Sequence, residues 1–470
     1  MSPPDTYIPK ILLISYHYPP SSAVGGLRIA NFSKFIPLSG WKSLVLTIKN
    51  SHVKNIDIER LKLINEDNIY KAGKTWRLQD LYTLTKKVAI NIRGNSVNNH
   101  GNTDKFENTV NNKERQGQGN EKIYEKLRRY ILSFLSLPDG DRNWVLPASI
   151  KAIRLVRKMK IDCILTSGPP HSVHLTGWIV KKMTGVRWVA DFRDPWMTTK
   201  AIREYVMRCA LSERVNQWME KEAIVTADLV VTSTKPLCEA LKKRYCDTFN
   251  NKHDISYNKF VHIPNGFDAE YFSKYNDLRK YEEFTLTHTG SMYFDRSPEP
   301  IFKSIKELLE ENKIQLTDIR VKLIGDCKTV GEKYIRDMIR SYGLEQVVDV
   351  IDTIPYSQAV EIIKRSHLAL VFAPDQPFQI PAKIYDYMGV GTRILAICND
   401  GATSDLVNET AIGRSFSPAD IGGIKEYMFY SIKCNGNAVE YDNNGNAIAK
   451  YERKNIVHDF VGYLNLICDR

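Results

Sequence analysis

The sequence predicts an α/β protein made of two Rossmann-like domains with mostly parallel sheets. Three observations carry this reading. Continuous apolar, strand-like runs alternate with helical patterns along most of the chain. The alternation comes in two series, with the polar stretch 247–258 just before the second. One sheet holding so many strands is less favourable than two smaller ones. A length of 470 residues accommodates two or three domains.

In chain order, Lys10–Tyr16 is a continuous apolar run, the pattern of a strand buried on both faces. A loop with Pro19, Pro20, Gly25 and Gly26 follows, then a helical pattern through Leu27, Ala30, Phe32, Phe35 and Ile36, ending near Gly40. Lys42–Ile48 reads as the next strand. Residues 93–120 are rich in Asn, Gly and Gln and nearly free of apolar side chains, so they read as a flexible insertion. Tyr124–Leu137 reads as a basic amphipathic helix. Strands are then expected at Ile161–Ser167, Arg187–Phe192, Leu229–Ser233 and Lys259–Pro264. Helices are expected at Ser172–Gly185, within 200–225 and at Lys235–Tyr245. The second series has strands at Phe284–Thr289, Val321–Ile324, Val347–Ile351, Leu368–Ala373 and Arg393–Ile397. Its helices fall near 299–311, 330–342, 357–366, 383–389 and 418–432, and a last helix spans about 449–468. The expected division is 1–258, 259–446, and a C-terminal helix at 447–470 that returns to the first domain.

Composition narrows the function classes. Hydrophobic residues make up 43% of the chain, enough to exclude a mostly disordered protein. No run approaches the roughly 18 apolar residues of a membrane span. The opening residues lack the apolar core of a secretion signal, so a cytoplasmic location is expected. The eight cysteines form no Cys-x-x-Cys and no zinc spacing, and read as reduced, mostly buried thiols. A net charge of +12 favours a polyanionic partner: a phosphorylated substrate, an anionic membrane surface or nucleic acid. No zinc-finger or RNA-binding signature is present, so nucleic acid is not expected.

Open parallel sheets bind ligands beyond the carboxyl ends of their strands. Several segments there have unusual chemistry. Gly25 and Gly26 open a helix and allow backbone N–H groups to approach a phosphate, although a Gly pair is more often a turn. Gly168-Pro169-Pro170-His171-Ser172 follows a strand, and His171 is placed to meet a phosphate or a sugar hydroxyl; a lone His is more often structural. Asp191, Arg193 and Asp194 cluster after an apolar strand, where charge is costly unless paired or used; an ion pair tying down a loop is the plainer alternative. In the second series, Gly290 and Ser291 follow a strand, with Arg296 in reach of a diphosphate. Lys383 and Asp386 share a helix face, either as a surface ion pair or as a cation for phosphate and a carboxylate for ribose hydroxyls. Gly401 and Thr403 open a further helix. Gly73-Lys74-Thr75 fails as a P-loop because Asn68 stands where a glycine is required, and Asp139-Gly140-Asp141 reads as a turn.

Taken together, Ile14–Pro20 with Gly25-Gly26, Gly168–Ser172, Ala190–Trp196, Ile263–Asp268, Thr289–Ser291 and Pro381–Tyr387 resemble bacterial glycosyltransferases of the family 4 type, which have the GT-B fold and assemble surface polysaccharides. The resemblance implies a nucleotide-sugar donor on the C-terminal domain, and a lipid-linked or saccharide acceptor on the N-terminal domain. It also implies retention of anomeric configuration, with no metal or other cofactor. Arg296 and Lys383 would then meet the diphosphate, with Gly290, Ser291, Gly401 and Thr403 around the donor. Asp386 falls where the family carries the second glutamate of its Glu-x7-Glu motif. Phe378 stands in the place of the first, and Asp375 is a candidate substitute. His171, Asp191 and Asp194 would line the reacting centre, with Gly25, Gly26 and Arg193 on the phosphate or acceptor side. A nucleotide-sugar epimerase of the same fold and a catalytically degenerate scaffold of a polysaccharide assembly complex remain the alternatives.

Overall fold

The structure is a computed structural model; it describes residues 7–75, 137–197, 210–247, 256–292, 296–435 and 445–469. The expected insertion at 93–120 and nearly all of the amphipathic stretch Tyr124–Leu137 lie outside these residues.

The first sheet has seven strands in the order β3-β2-β1-β4-β5-β6-β7. They are β1 Lys10–Ile14, β2 Lys42–Ile48, β3 Ile69–Ala72, β4 Cys163–Gly168, β5 Arg187–Phe192, β6 Leu229–Thr232 and β7 Phe260–His262. Every neighbouring pair is parallel. The apolar run of β1 is needed because both faces are covered. Ile11 and Leu13 pack with Phe32 and Phe460 from the helices Gly25–Phe35 and Arg453–Ile467. Leu12 and Ile14 face the opposite layer, with Ala148, Val180 and Ile224. The Phe32 and Phe460 rings stack at 4.9 Å. The last helix of the chain thus completes the first domain.

The second sheet has the order β12-β9-β8-β13-β14-β15 and is likewise all parallel. Its strands are β8 Phe284–Thr289, β9 Ile319–Ile324, β12 Val348–Ile351, β13 Leu368–Phe372, β14 Arg393–Ile397 and β15 Gly413–Phe416. Leu286, Leu370 and Leu395 face a core shared with the helices Glu299–Glu310 and Ile421–Lys433. Ala369, Val371 and Ile394 face the helices Tyr356–Arg365 and Lys383–Gly389.

Three expectations change. β7 pairs with β6, so the first sheet continues past the expected division between 258 and 259. A small antiparallel hairpin, β10 Thr329–Val330 and β11 Lys333–Tyr334, occupies the start of the helix expected from 330, which begins at Ile335. Strands β3 and β15 are additional to the strands expected.

The chain crosses between the sheets twice, and the crossings pair side by side. Phe267 N–H donates to Tyr451 O at 3.0 Å, and Arg453 N–H to Phe267 O at 2.8 Å. Strand order reverses direction at β1/β4 in the first sheet and at β8/β13 in the second. Those two switch points are where this architecture places ligands.

Candidate functional site

On the first domain the charged segment after β5 is built into the frame. Asp191 is fully buried. Its carboxylate takes Arg28 Nε and Nη2, both at 3.0 Å, and Ser167 Oγ at 2.7 Å. The Arg28 guanidinium also donates to Ile263 O and Pro264 O at 2.8 Å and to Asn265 Oδ1 at 3.0 Å. One buried ion pair therefore locks the first helix, β5 and the crossing segment together. Asp191 faces Arg28 and Ser167 rather than an open reacting centre, which is the plainer alternative drawn from sequence.

Arg193 is likewise interior. It donates to Pro169 O through Nη2, and a Cβ at Gly25 would overlap its guanidinium. A side chain at 25 would have to displace that guanidinium, so the space over Gly25 is filled by a cation. Gly26 is buried in the same helix against the backbone of His17 and Tyr18. His171 stacks on Trp196 with ring centroids 5.1 Å apart. Burial, with His174 and Arg193 nearby, holds its imidazole well below the ordinary histidine value, hence neutral. Asp139 accepts from Ser172 N at 2.7 Å and Oγ at 2.8 Å, and Lys74 pairs with Asp141 at 3.0 Å; the Asp-Gly-Asp segment is a structural turn.

Asp194 is half-buried and accepts from Gln379 Nε2 at 2.7 Å, a bond between the two domains. Beside it, Thr234 Oγ1 donates to Phe378 O at 2.7 Å. Phe378 packs against the first domain's core. From the other side, Ala402 N–H donates to Pro377 O at 3.0 Å and Thr403 Oγ1 to Gln379 O at 3.3 Å. Gly401 N–H is engaged by Ser404 Oγ at 2.9 Å. Ala402 and Thr403 hold the 377–379 loop, with Gly401 packed closely against Pro377, and that loop fastens one domain to the other.

Of the residues expected around a donor, Gly290, Ser291, Arg296, Lys383 and Asp386 lie at the second switch point, whereas Gly401 and Thr403 belong to the 377–379 loop. Gly290, directly after β8, has φ +100°, a conformation costly for any side chain. Its carbonyl accepts from Cys327 Sγ at 3.3 Å, and its N–H donates to Ile324 O at 2.8 Å. A Cβ there would lie 3.2 Å from Lys383 Nζ. Lys383 is half-buried at the start of its helix. Burial, then Arg296, lowers its ammonium to about 7. Ser291 is exposed at the lip. Asp386, one turn on, accepts from Tyr356 Oη at 2.8 Å. Burial raises its carboxyl above the ordinary value against the opposing pull of Arg453, Tyr356, Arg60 and Lys383. A half-buried lysine, a nearby arginine and a tight glycine turn make a cradle for an anion, with a carboxylate one turn away for hydroxyls.

Two residues here were missed from sequence. His288 accepts from Lys383, and Tyr356 donates to Asp386. A histidine two positions before the turn glycine in a buried strand was the available signal for the first. Tyr356 gave none. A cavity of about 820 Å³ lies beside the paired crossings, lined by Lys235, His262, Glu409, Tyr451 and His458; no expected site residue lines it. Among the described residues no group of three or more His, Cys, Asp or Glu is placed to hold a metal ion, and no helix is long and apolar enough to cross a membrane.

No family model matches this chain, and no curated protein matches it in sequence. Solved structures do. A glycosyltransferase from Rickettsia africae ESF-5 superposes with TM-score 0.56 at 10% identity, covering 98% of this chain and 99% of that one. Anabaena Alr3699/HepE in complex with UDP-glucose gives 0.58 at 14% identity, covering 97% and 99%. The lipopolysaccharide outer core galactosyltransferase WaaB gives 0.54 at 13%, covering 97% and 99%. The fold is GT-B. At these identities the likeness is one of fold, and GT-B carries many chemistries.

Proposed function

We propose that the protein is a retaining glycosyltransferase. It would transfer a sugar from a nucleotide-sugar donor to a lipid-linked or polysaccharide precursor in bacterial surface polysaccharide assembly. The observation that carries the reading is the placement of Lys383 Nζ over the Gly290 turn at the second switch point, with Arg296 nearby. The HepE structures hold UDP and UDP-glucose in a protein of the same fold, which supports a nucleotide-sugar donor.

The chemistry follows from charge. As the glycosidic bond to the diphosphate breaks, negative charge grows on the leaving oxygen. Lys383 and Arg296 stabilise it in a partly dehydrated site, where each hydrogen bond is worth more than in water, without calling on a metal ion. Asp386 accepts ribose hydroxyls. The acceptor enters over the first domain, between the β1 and β4 loops, and the net positive charge suits an acceptor on an anionic membrane surface.

A second reading is favoured by one observation. Phe378, standing where the family has its first glutamate, is spent on clamping the domains together. A scaffold that kept the fold and lost sugar recognition has this feature. Screening the protein against UDP, GDP, ADP, CMP and their sugar conjugates, with donor-hydrolysis and transfer assays, separates the two. Transfer with any donor supports the enzyme, and binding partners without turnover support the scaffold.

A further inference from the structure

Lys383 needs a reason to stay where it is. A lysine side chain has about 2 kcal/mol of rotamer entropy to lose, and nothing apolar fixes an ammonium. Here its helix is pinned to the end of β8 twice. Tyr387 Oη accepts from Thr289 N–H at 3.1 Å, and Lys383 Nζ lies 3.0 Å from His288 Nε2. Among the described residues His288 is the hydrogen-bond acceptor for that ammonium.

The ring's tautomer is set by its other side. His288 Nδ1 lies 3.0 Å from Leu370 O, and a carbonyl can only accept, so Nδ1 carries the proton. Nε2 is then bare and accepts from Lys383. The ring is fully buried and packs on Phe372 at 4.9 Å, so it has little freedom to turn. A carboxylate in this place would also orient the lysine but would neutralise it. A neutral imidazole orients the ammonium while leaving its charge and two N–H bonds for an incoming anion.

We propose that His288 is the positioning residue of the donor site, presenting Lys383 over the Gly290 turn to the diphosphate of a nucleotide through an uncharged acceptor. This rests on the donor-site reading above and names the device that makes it work.

The test is nucleoside diphosphate affinity, measured by calorimetry on the full chain with UDP, GDP, ADP and inorganic pyrophosphate as probes. His288→Gln keeps an acceptor near the Nε2 position and is expected to bind within about threefold of wild type. His288→Phe keeps the ring volume against Phe372 and loses the acceptor; affinity is expected to fall about tenfold, which is about 1.4 kcal/mol. His288→Glu pairs with Lys383 and is expected to bind more weakly still. Thermal unfolding midpoints identify any variant that fails to fold. Equal affinity in the Phe and Gln variants overturns the positioning role, because a ring needed only for packing tolerates phenylalanine. Lys383→Met separates the two levels. If it loses affinity while His288→Phe does not, the inference fails and the donor site stands. If wild type binds no probe, or Lys383→Met binds like wild type, the donor-site reading fails and takes the inference with it.

Discussion

At the scale of single residues, Lys383 carries the sharpest consequence. With its ammonium lowered to about 7, the unliganded protein holds the charge below that pH and loses it above. The groups facing it are His288, Arg296, Cys327 and Asp386. Diphosphate binding favours the charged form, so it takes up a proton at higher pH. Affinity for the bound nucleotide is therefore expected to weaken by up to about tenfold per pH unit between pH 7.5 and 9, with proton uptake visible as a buffer-dependent heat. Lys383→Arg, charged throughout, flattens that profile. A wild-type profile as flat as the Arg variant contradicts the assignment. Asp191 makes the opposite kind of prediction. Asp191→Ala strands the buried Arg28 guanidinium and is expected to cost about 3–5 kcal/mol of stability in urea unfolding. A loss below 1 kcal/mol would mean the pair is not the lock that its geometry describes. Sequence reading found both residues because charge at the end of an apolar strand or the start of a helix is conspicuous. It did not find what they touch. Arg28 is 163 positions from Asp191, and His288 is 95 from Lys383.

At the scale of elements, the 377–379 loop is the unexpected part. The resemblance would put the first glutamate of the Glu-x7-Glu motif here, but this chain has Phe378, which packs into the neighbouring domain. Phe378→Ala removes a half-buried ring and is expected to cost about 1–2 kcal/mol, and to increase the radius of gyration in solution scattering as the domains part. An unchanged radius with Thr234→Val added would rule out the clamp. The more central strands were legible because strands covered on both faces are rich in apolar and β-branched residues; β2, β5, β8 and β14 have the expected bounds. Two of the edge strands were not: β3 reads IYKA and β15 reads GRSF, each too short and polar to stand out from loop, whereas the edge strands β7 and β12 were expected. β7 was given to the wrong side of the domain division because proximity in sequence does not reveal which sheet edge a strand joins.

At the scale of the whole molecule, two all-parallel sheets and the paired crossings place two switch points at strand ends, and the last helix returns to the first domain. The repeated strand–helix alternation made that architecture readable. The positions of the charged loops after strands made the neighbourhood of the site readable as well. The partition of those loops into frame and site was not, because burial decides it: Asp191 and Arg193 went to the frame, while Lys383 and Asp386 stayed half-exposed. In the proposed donor site the second switch point holds a nucleoside diphosphate through Lys383. The most direct measurement is a thermal-shift screen of wild type and Lys383→Met against UDP, GDP, ADP and CMP, with and without EDTA. One nucleotide family is expected to stabilise wild type, by about 2.7 kcal/mol at a hundredfold excess over its dissociation constant. EDTA is expected to leave the shift intact and Lys383→Met to abolish it. No shift with any nucleotide, or an equal shift in the variant, would contradict the donor site.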